Sequence, residues 1–191
     1  PKCSVVKKLC LRNNFEKRSK MKKKMIGRAA LAGFLAAWLI FMDQITKYLA
    51  IHQLKGYGEV SVLGDVLCFR YLENTGAAFS LFDNSSVFMT VVSILTFVVL
   101  GFFVYAYIKL LKMDKFKAER IAIIFLFGGA AGNLIDRVMY QFVVDFIYVK
   151  IIDFPTFNVA DCYITCAVIF IIIRLIYCMI KKKESFIDVI L

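Results

Sequence analysis

Four long apolar blocks divide the chain, approximately Ala29–Ile51, Val87–Leu111, Ile121–Tyr140 and Phe157–Ile180. Each has 20 or more residues. At 1.5 Å per residue, a helix of that length covers the ~30 Å hydrocarbon core of a bilayer. Between the first two blocks, over about 52–86, the pattern changes from helical to alternating. Val60-Ser61-Val62-Leu63 and Val66-Leu67-Cys68-Phe69-Arg70-Tyr71 flank Gly64-Asp65, a two-residue hairpin signal. The expectation is an all-α membrane protein of four transmembrane helices with a small extracytoplasmic β-sheet. An edge of that sheet can accept an extended peptide by strand addition.

Composition and charge sharpen this picture. Hydrophobic residues make up 61% of the 191, well above the roughly 45–50% of a soluble domain. Net charge is +11, yet the basic residues form no single patch: 11 of the 25 lie in residues 1–28, five between Lys109 and Arg120, and four at Arg174 and Lys181–Lys183. Each cluster flanks an apolar block, as retention of Lys and Arg in the cytoplasm produces. Both termini are then cytoplasmic, the tails favour anionic membrane lipids, and nucleic acid is not an expected partner. Residues 1–28 read as a basic leader, expected to be disordered in part, 29–180 as the membrane domain and 181–191 as a cytoplasmic tail. Met42 is followed by Asp43-Gln44-Ile45-Thr46-Lys47, where a signal peptide would have small residues for cleavage, so the block reads as a retained span. The six cysteines form no C-x-x-C and the sole histidine is His52, so no metal site and no cofactor are expected. Cys162, Cys166 and Cys178 of the fourth block read as buried thiols.

Carboxylates inside the spans carry the candidate chemistry. An Asp at the centre of a span costs about 2.5–3.5 kcal/mol on insertion scales. Asp43 lies about 22 Å above Arg28, Asp136 about 24 Å above Arg120, and Asp161 about 6 Å below Phe157. Three spans therefore carry acids at one level, in the outer third of the bilayer. Lys47, one turn from Asp43, can neutralise it as a structural ion pair. Asp136 adjoins Arg137, and both can join a local polar network. Asp145 and Asp161 have no adjacent cation and are the pair expected to face each other across a wet pocket. Two apposed carboxyls share a proton: the ionised one can activate water while the protonated one polarises a carbonyl. Gly128-Gly129-Ala130-Ala131-Gly132 leaves one helix face without bulk, for tight helix packing or for approach of a substrate backbone. Asn74, Asn133 and Asn158 are amides able to hold a peptide. Cys162 beside Asp161 is a poor nucleophile without a histidine near it.

These residues resemble the motifs of the lipoprotein signal peptidase family, signal peptidase II. Asp43-Gln44-Ile45-Thr46-Lys47 is similar to the family's D-x-x-[ST]-K, and Asn74-Thr75-Gly76-Ala77-Ala78-Phe79 to its N-x-G-x-[AS]-F. Gly129 to Arg137 resembles G-x-x-G-N-x-x-D-R, and Val144-Asp145-Phe146 and Phe157-Asn158-Val159-Ala160-Asp161 resemble the two blocks with the catalytic aspartates. The resemblance implies a monomeric aspartyl endopeptidase of the bacterial cytoplasmic membrane, with its active site near the outer face. It implies cleavage of diacylglyceryl-modified prolipoproteins before the lipidated cysteine, and inhibition by globomycin-type peptides. It makes Asp145 and Asp161 the catalytic pair. Asn74, Gly129, Asn133, Asp136, Arg137 and Asn158 would shape the site or hold substrate, supported by Asp43 and Lys47, and the sheet would form an extracytoplasmic cradle. Position 162 is Cys where many relatives have Ser. The alternative is a proton-coupled transporter or channel, against which the absence of a repeat and the gathering of the acids at one level both argue.

Overall fold

A single long helix, α1, runs Lys2–Leu54. The computed structural model describes residues 2–76 and 86–191. The leader expected to be partly disordered therefore continues the first helix. Its reason is local: Arg12 to Arg28 is rich in Lys, Arg and Met, straight side chains that lose little freedom in a helix. The other long helices are α2 (Ser86–Leu110), α3 (Lys117–Tyr140) and α4 (Val159–Ile180), each within a few residues of an apolar block. All four are long and apolar enough to cross a membrane.

Helix α3 lies at the centre and packs against α1, α2 and α4. Around it, large apolar side chains such as Phe34, Trp38, Phe97 and Ile173 point outward, which costs nothing against lipid. For the same reason apolar burial does not draw helices together in a bilayer, and close backbone approach has to. The glycine run of α3 provides it. A Cβ on Gly128 would stand 2.9 Å from Leu39 of α1. On Gly129 it would stand 2.5 Å from the Ala160 carbonyl and 2.7 Å from Ile164 of α4. On Gly132 it would run into the Asp43 carboxylate. Of the two roles open to this run, the structure shows helix packing, on both flanks of α3.

The sheet is antiparallel, in the order β1 (Val60–Leu63), β2 (Leu67–Asn74), β3 (Val143–Val149). The β1–β2 hairpin turns where its residues predict. Gly64 takes φ +50°, a left-handed conformation that suits glycine, and Val66 N–H donates to the Leu63 carbonyl at 3.0 Å. Strand β3 is new relative to the sequence pattern, which leaves 141–156 as an outer connection. Helix α3 stops at Gln141, itself left-handed with φ 64°, and the chain reverses at once into β3. There Asp145 pairs with Leu72 and Val143 with Asn74 across β2. On its other side Ile147 bridges to Phe157, exchanging hydrogen bonds of 2.8 and 3.0 Å. That bridge delivers Asn158 and the start of α4 to the sheet.

At the opposite end, Lys24 and Arg28 pair with Asp114, and Arg28 also donates to the Leu111 carbonyl at 2.7 Å. Phe186 and Ile190 pack on Ala106, Leu110, Phe116 and Ile123, so the 181–191 tail is fixed to the bundle, ending in a short helix α5 (Ile187–Ile190). Among the described cysteines, Cys68 and Cys178 are buried, Cys162 is partly so and Cys166 is exposed. The expectation of buried thiols thus fails at Cys166, which stands on the lipid-facing side of α4, where an apolar thiol needs no protein cover.

Gly129→Ala and Gly132→Ala each introduce a methyl where backbone or a buried carboxylate already stands. Each is expected to lower stability by about 1–3 kcal/mol. Gly101→Ala on α2, with open space around its Cα, serves as the neutral control. Thermal unfolding in detergent measures all three.

Candidate active site

A buried ammonium organises the site. Lys47 is 2% exposed and spends its three N–H groups on three partners: Asp43 Oδ2 at 2.9 Å, Asp136 Oδ2 at 2.9 Å and Asn133 Oδ1 at 2.8 Å. The pairing expected between Asp43 and Lys47 is present. Asp136, however, takes its cation from Lys47 on another helix and not from Arg137 beside it in sequence. Adjacent residues point about 100° apart around a helix, whereas α1 and α3 touch at the glycine face. Both carboxylates then reach further. Asp43 Oδ1 accepts the Ala160 N–H at 2.9 Å, and Asp136 Oδ2 accepts the Val144 N–H at 3.0 Å. Each thereby pins the residue just before Asp161 or Asp145. Gln44 adds bonds to Asp136 Oδ1 (3.0 Å) and the Gly132 carbonyl (3.2 Å). It escaped the sequence reading because it carries no charge, although an amide within an apolar span was a visible signal.

Asp145 and Asp161 meet around Asn158. Asn158 is the N-cap of α4 in a reciprocal capping box: its Oδ1 accepts the Asp161 N–H at 3.0 Å, and Asp161 Oδ2 accepts the Asn158 N–H at 3.1 Å. The Asn158 amide nitrogen donates to Asp145 Oδ1 at 2.6 Å. Asn74 donates to Asp145 Oδ2 at 2.8 Å, and Asn133 to Asp161 Oδ1 at 2.8 Å. Asn74 reaches Asp145 because it pairs with Val143, two residues away and so on the same face of the sheet. All three asparagines singled out in the sequence bond to one or both of these aspartates. Gly129 supports the site through helix packing, as described above. Ala77, Ala78 and Phe79 of the Asn74 motif lie outside the described residues.

Asp145 is 1% exposed. Burial pushes its carboxyl up from the ordinary 3.8 to about 6, the charge of Asp161 adds to the rise, and the Asn74 and Asn158 bonds oppose it. Asp161 is only half-buried and lines a cavity of ≈ 380 Å³ between α2, α3 and α4. One end of this cavity is polar, with Asn133, Arg137 and Asp161; the remainder is apolar, with Leu95, Val99, Phe103, Leu126 and Ile164. Arg137 also lines the adjoining cavity beside Asn74, Gly76 and Val143. His52 is exposed, bonded to the Tyr48 carbonyl, and takes no part.

Residues 35–177 match the family model for signal peptidase (SPase) II. The chain belongs to the signal peptidase II family. The lipoprotein signal peptidase of Clostridium novyi (strain NT) is 37% identical over 140 residues, 72% of this chain and 91% of that protein. That of Staphylococcus aureus (strain MRSA252) is 37% identical over 166 residues, 86% of this chain and 97% of its own length. A bacterial membrane enzyme solved by the in meso method at 1.9 Å resolution superposes with a TM-score of 0.65 at 35% identity, covering 76% of this chain and 92% of that one. The chain is thus a multi-pass membrane peptidase, and the transporter alternative is not supported.

A carboxyl whose proton is held more tightly in the folded state favours that state at low pH. Between about pH 4 and about pH 6 the folded protein binds more protons at Asp145 than the unfolded chain does, so stability falls as pH rises through that window. Asp145→Asn lacks this component. Its stability relative to the parent is expected to rise from pH 4 to pH 7, as unfolding at a series of pH values measures.

Proposed function

We propose that this peptidase removes signal peptides from diacylglyceryl-modified prolipoproteins by aspartyl chemistry, cutting before the lipidated cysteine, with Asp145 and Asp161 as the catalytic pair. The observation that carries the reading is the joint hold of Asn158 on both carboxyls. In the pair's one-proton state the proton sits on Asp145, whose buried setting raises its carboxyl. Asp161 stands in the first turn of α4, where the positive end of the helix dipole stabilises negative charge. Asp161 takes a proton from water, whose oxygen bonds to the scissile carbonyl carbon, while Asp145 gives a hydrogen bond and then its proton to the carbonyl oxygen. Collapse of the tetrahedral gem-diol breaks the C–N bond. The amine leaves with the proton that Asp161 gained, and Asp145 recovers its own from the diol hydroxyl.

The surroundings support this substrate. The polar end of the cavity offers Asn133 and Arg137 to a peptide backbone, and its apolar length suits acyl chains or apolar signal-peptide residues. A globomycin-type peptide would occupy the same cleft. The distribution of basic clusters supports cytoplasmic termini and a sheet that faces outward; an inner-membrane location and a monomeric state belong to the same reading.

Asp145→Asn and Asp161→Asn are each expected to abolish cleavage of a diacylated prolipoprotein in a gel-shift assay while the protein stays inserted and folded. Turnover at the parent rate by either variant overturns the pair. Cys162→Ser is expected to keep most activity, since the sole histidine, His52, is engaged elsewhere and burial and the charge of Asp161 both disfavour a thiolate.

A further inference from the structure

The amides around the two aspartates have a fixed polarity, and its source can be traced. An asparagine side chain presents an accepting oxygen on one side and a donating nitrogen on the other, and a half turn exchanges them. Lys47 has donors only. The atom of Asn133 that faces it at 2.8 Å is therefore Oδ1, which leaves Nδ2 to face Asp161 Oδ1 at 2.8 Å. Likewise the Asp161 N–H can only donate, so it holds Asn158 Oδ1 and leaves Nδ2 for Asp145 Oδ1 at 2.6 Å and Asn133 Oδ1 at 3.1 Å. A flipped Asn133 would turn its NH2 toward an ammonium and another NH2, and its oxygen toward a carboxylate. All three contacts would become repulsive.

We propose that Lys47 is a positioning residue: by holding Oδ1 of Asn133, it makes that amide present its N–H donor to Asp161. The inference rests on the catalytic pair proposed above. The competing role for Lys47 is charge balance alone, since two of its hydrogens neutralise Asp43 and Asp136. The third hydrogen goes to a neutral amide and has no place in that account. The charged groups around Asp161 are Asp145 from β3, Asp136 and Arg137 from α3, and Asp43 and Lys47 from α1. A test has to hold their total constant while it removes the donor.

Two double variants do so, Asp43→Asn with Lys47→Gln and Asp43→Asn with Lys47→Met. Each deletes one negative and one positive charge. Gln retains an N–H for Asn133 Oδ1, and Met does not. The full chain is assayed in lipid for kcat and KM on diacylated prolipoprotein across pH, with thermal unfolding as the check on folding. The Gln pair is expected to turn over about tenfold or more faster than the Met pair, the scale of one hydrogen bond to a charged group. The acid limb of the Met pair's kcat profile is expected to move to higher pH, with KM alike in both. Superposable kcat profiles overturn the role of Lys47 but leave the catalytic pair standing, whereas cleavage by Asp145→Asn or Asp161→Asn overturns the pair itself. Should neither double variant fold, Asn133→Asp replaces them. Lys47 then holds one oxygen of the new carboxyl, and only its protonated form offers a donor to Asp161. Activity confined to acid pH supports the proposal, and a pH profile like the parent's overturns it.

Discussion

One ammonium, sealed from water between α1 and α3, is the constraint on which the site depends. Asp43 and Asp136 are both fully enclosed in spans, and an isolated carboxylate there would be prohibitive. Lys47 neutralises one unit of the two and bonds to both. Loss of one member of such a buried set costs about 3–5 kcal/mol, because the remaining charge has no water to turn to. The position of Lys47 matters as much as its charge. Asp43 caps the N–H of Ala160 and Asp136 caps that of Val144, so the first turn of α4 and the start of β3 are both indexed to it. The residues that follow those two N–H groups are Asp161 and Asp145.

The glycine face of α3 is the steric half of the same device. A Lys47 on α1 can reach Asn133 and Asp136 on α3 only if the helix axes come close, and Gly128 and Gly132 remove the side chains that would hold them apart. Gly129 does the same toward α4, with the Ala160 carbonyl almost against its Cα. In a bilayer such approach brings dispersion contacts and interhelical polar bonds together. Here the small residues and the buried ions therefore belong to one interface, and neither has a function without the other.

Much of this was legible in the chain. Lipid imposes length and near-absence of charge on a span, so the four blocks and the exceptions within them stand out without any fold information. The β1–β2 hairpin announces itself by alternation around Gly64-Asp65. Strand β3 does not: Val143 to Phe146 is buried on both faces, which removes the period of two and leaves a short apolar run after a span. The aspartates were identifiable because each is costly where it stands. Their partners were harder to read, since the cation for Asp136 lies on another helix and sequence adjacency offers Arg137 instead. Asn158 stood out as a polar residue, but its place between two carboxyls required the Ile147–Phe157 bridge, a long-range pairing that no local pattern encodes.

The two aspartates come from unlike elements, and that difference bears on chemistry. A strand residue enclosed on both faces loses hydration, which drives Asp145 toward its neutral form near pH 6. A residue in the first turn of a helix sits among backbone N–H groups at the positive end of the dipole and, here, at the wall of an open cavity. Asn158, whose backbone and side chain bond to Asp161 while its amide bonds to Asp145, holds the strand carboxyl and the helix-start carboxyl at one spacing. On this view the small sheet is part of the chemistry: it brings a buried carboxyl to the border of the spans, beside the start of α4.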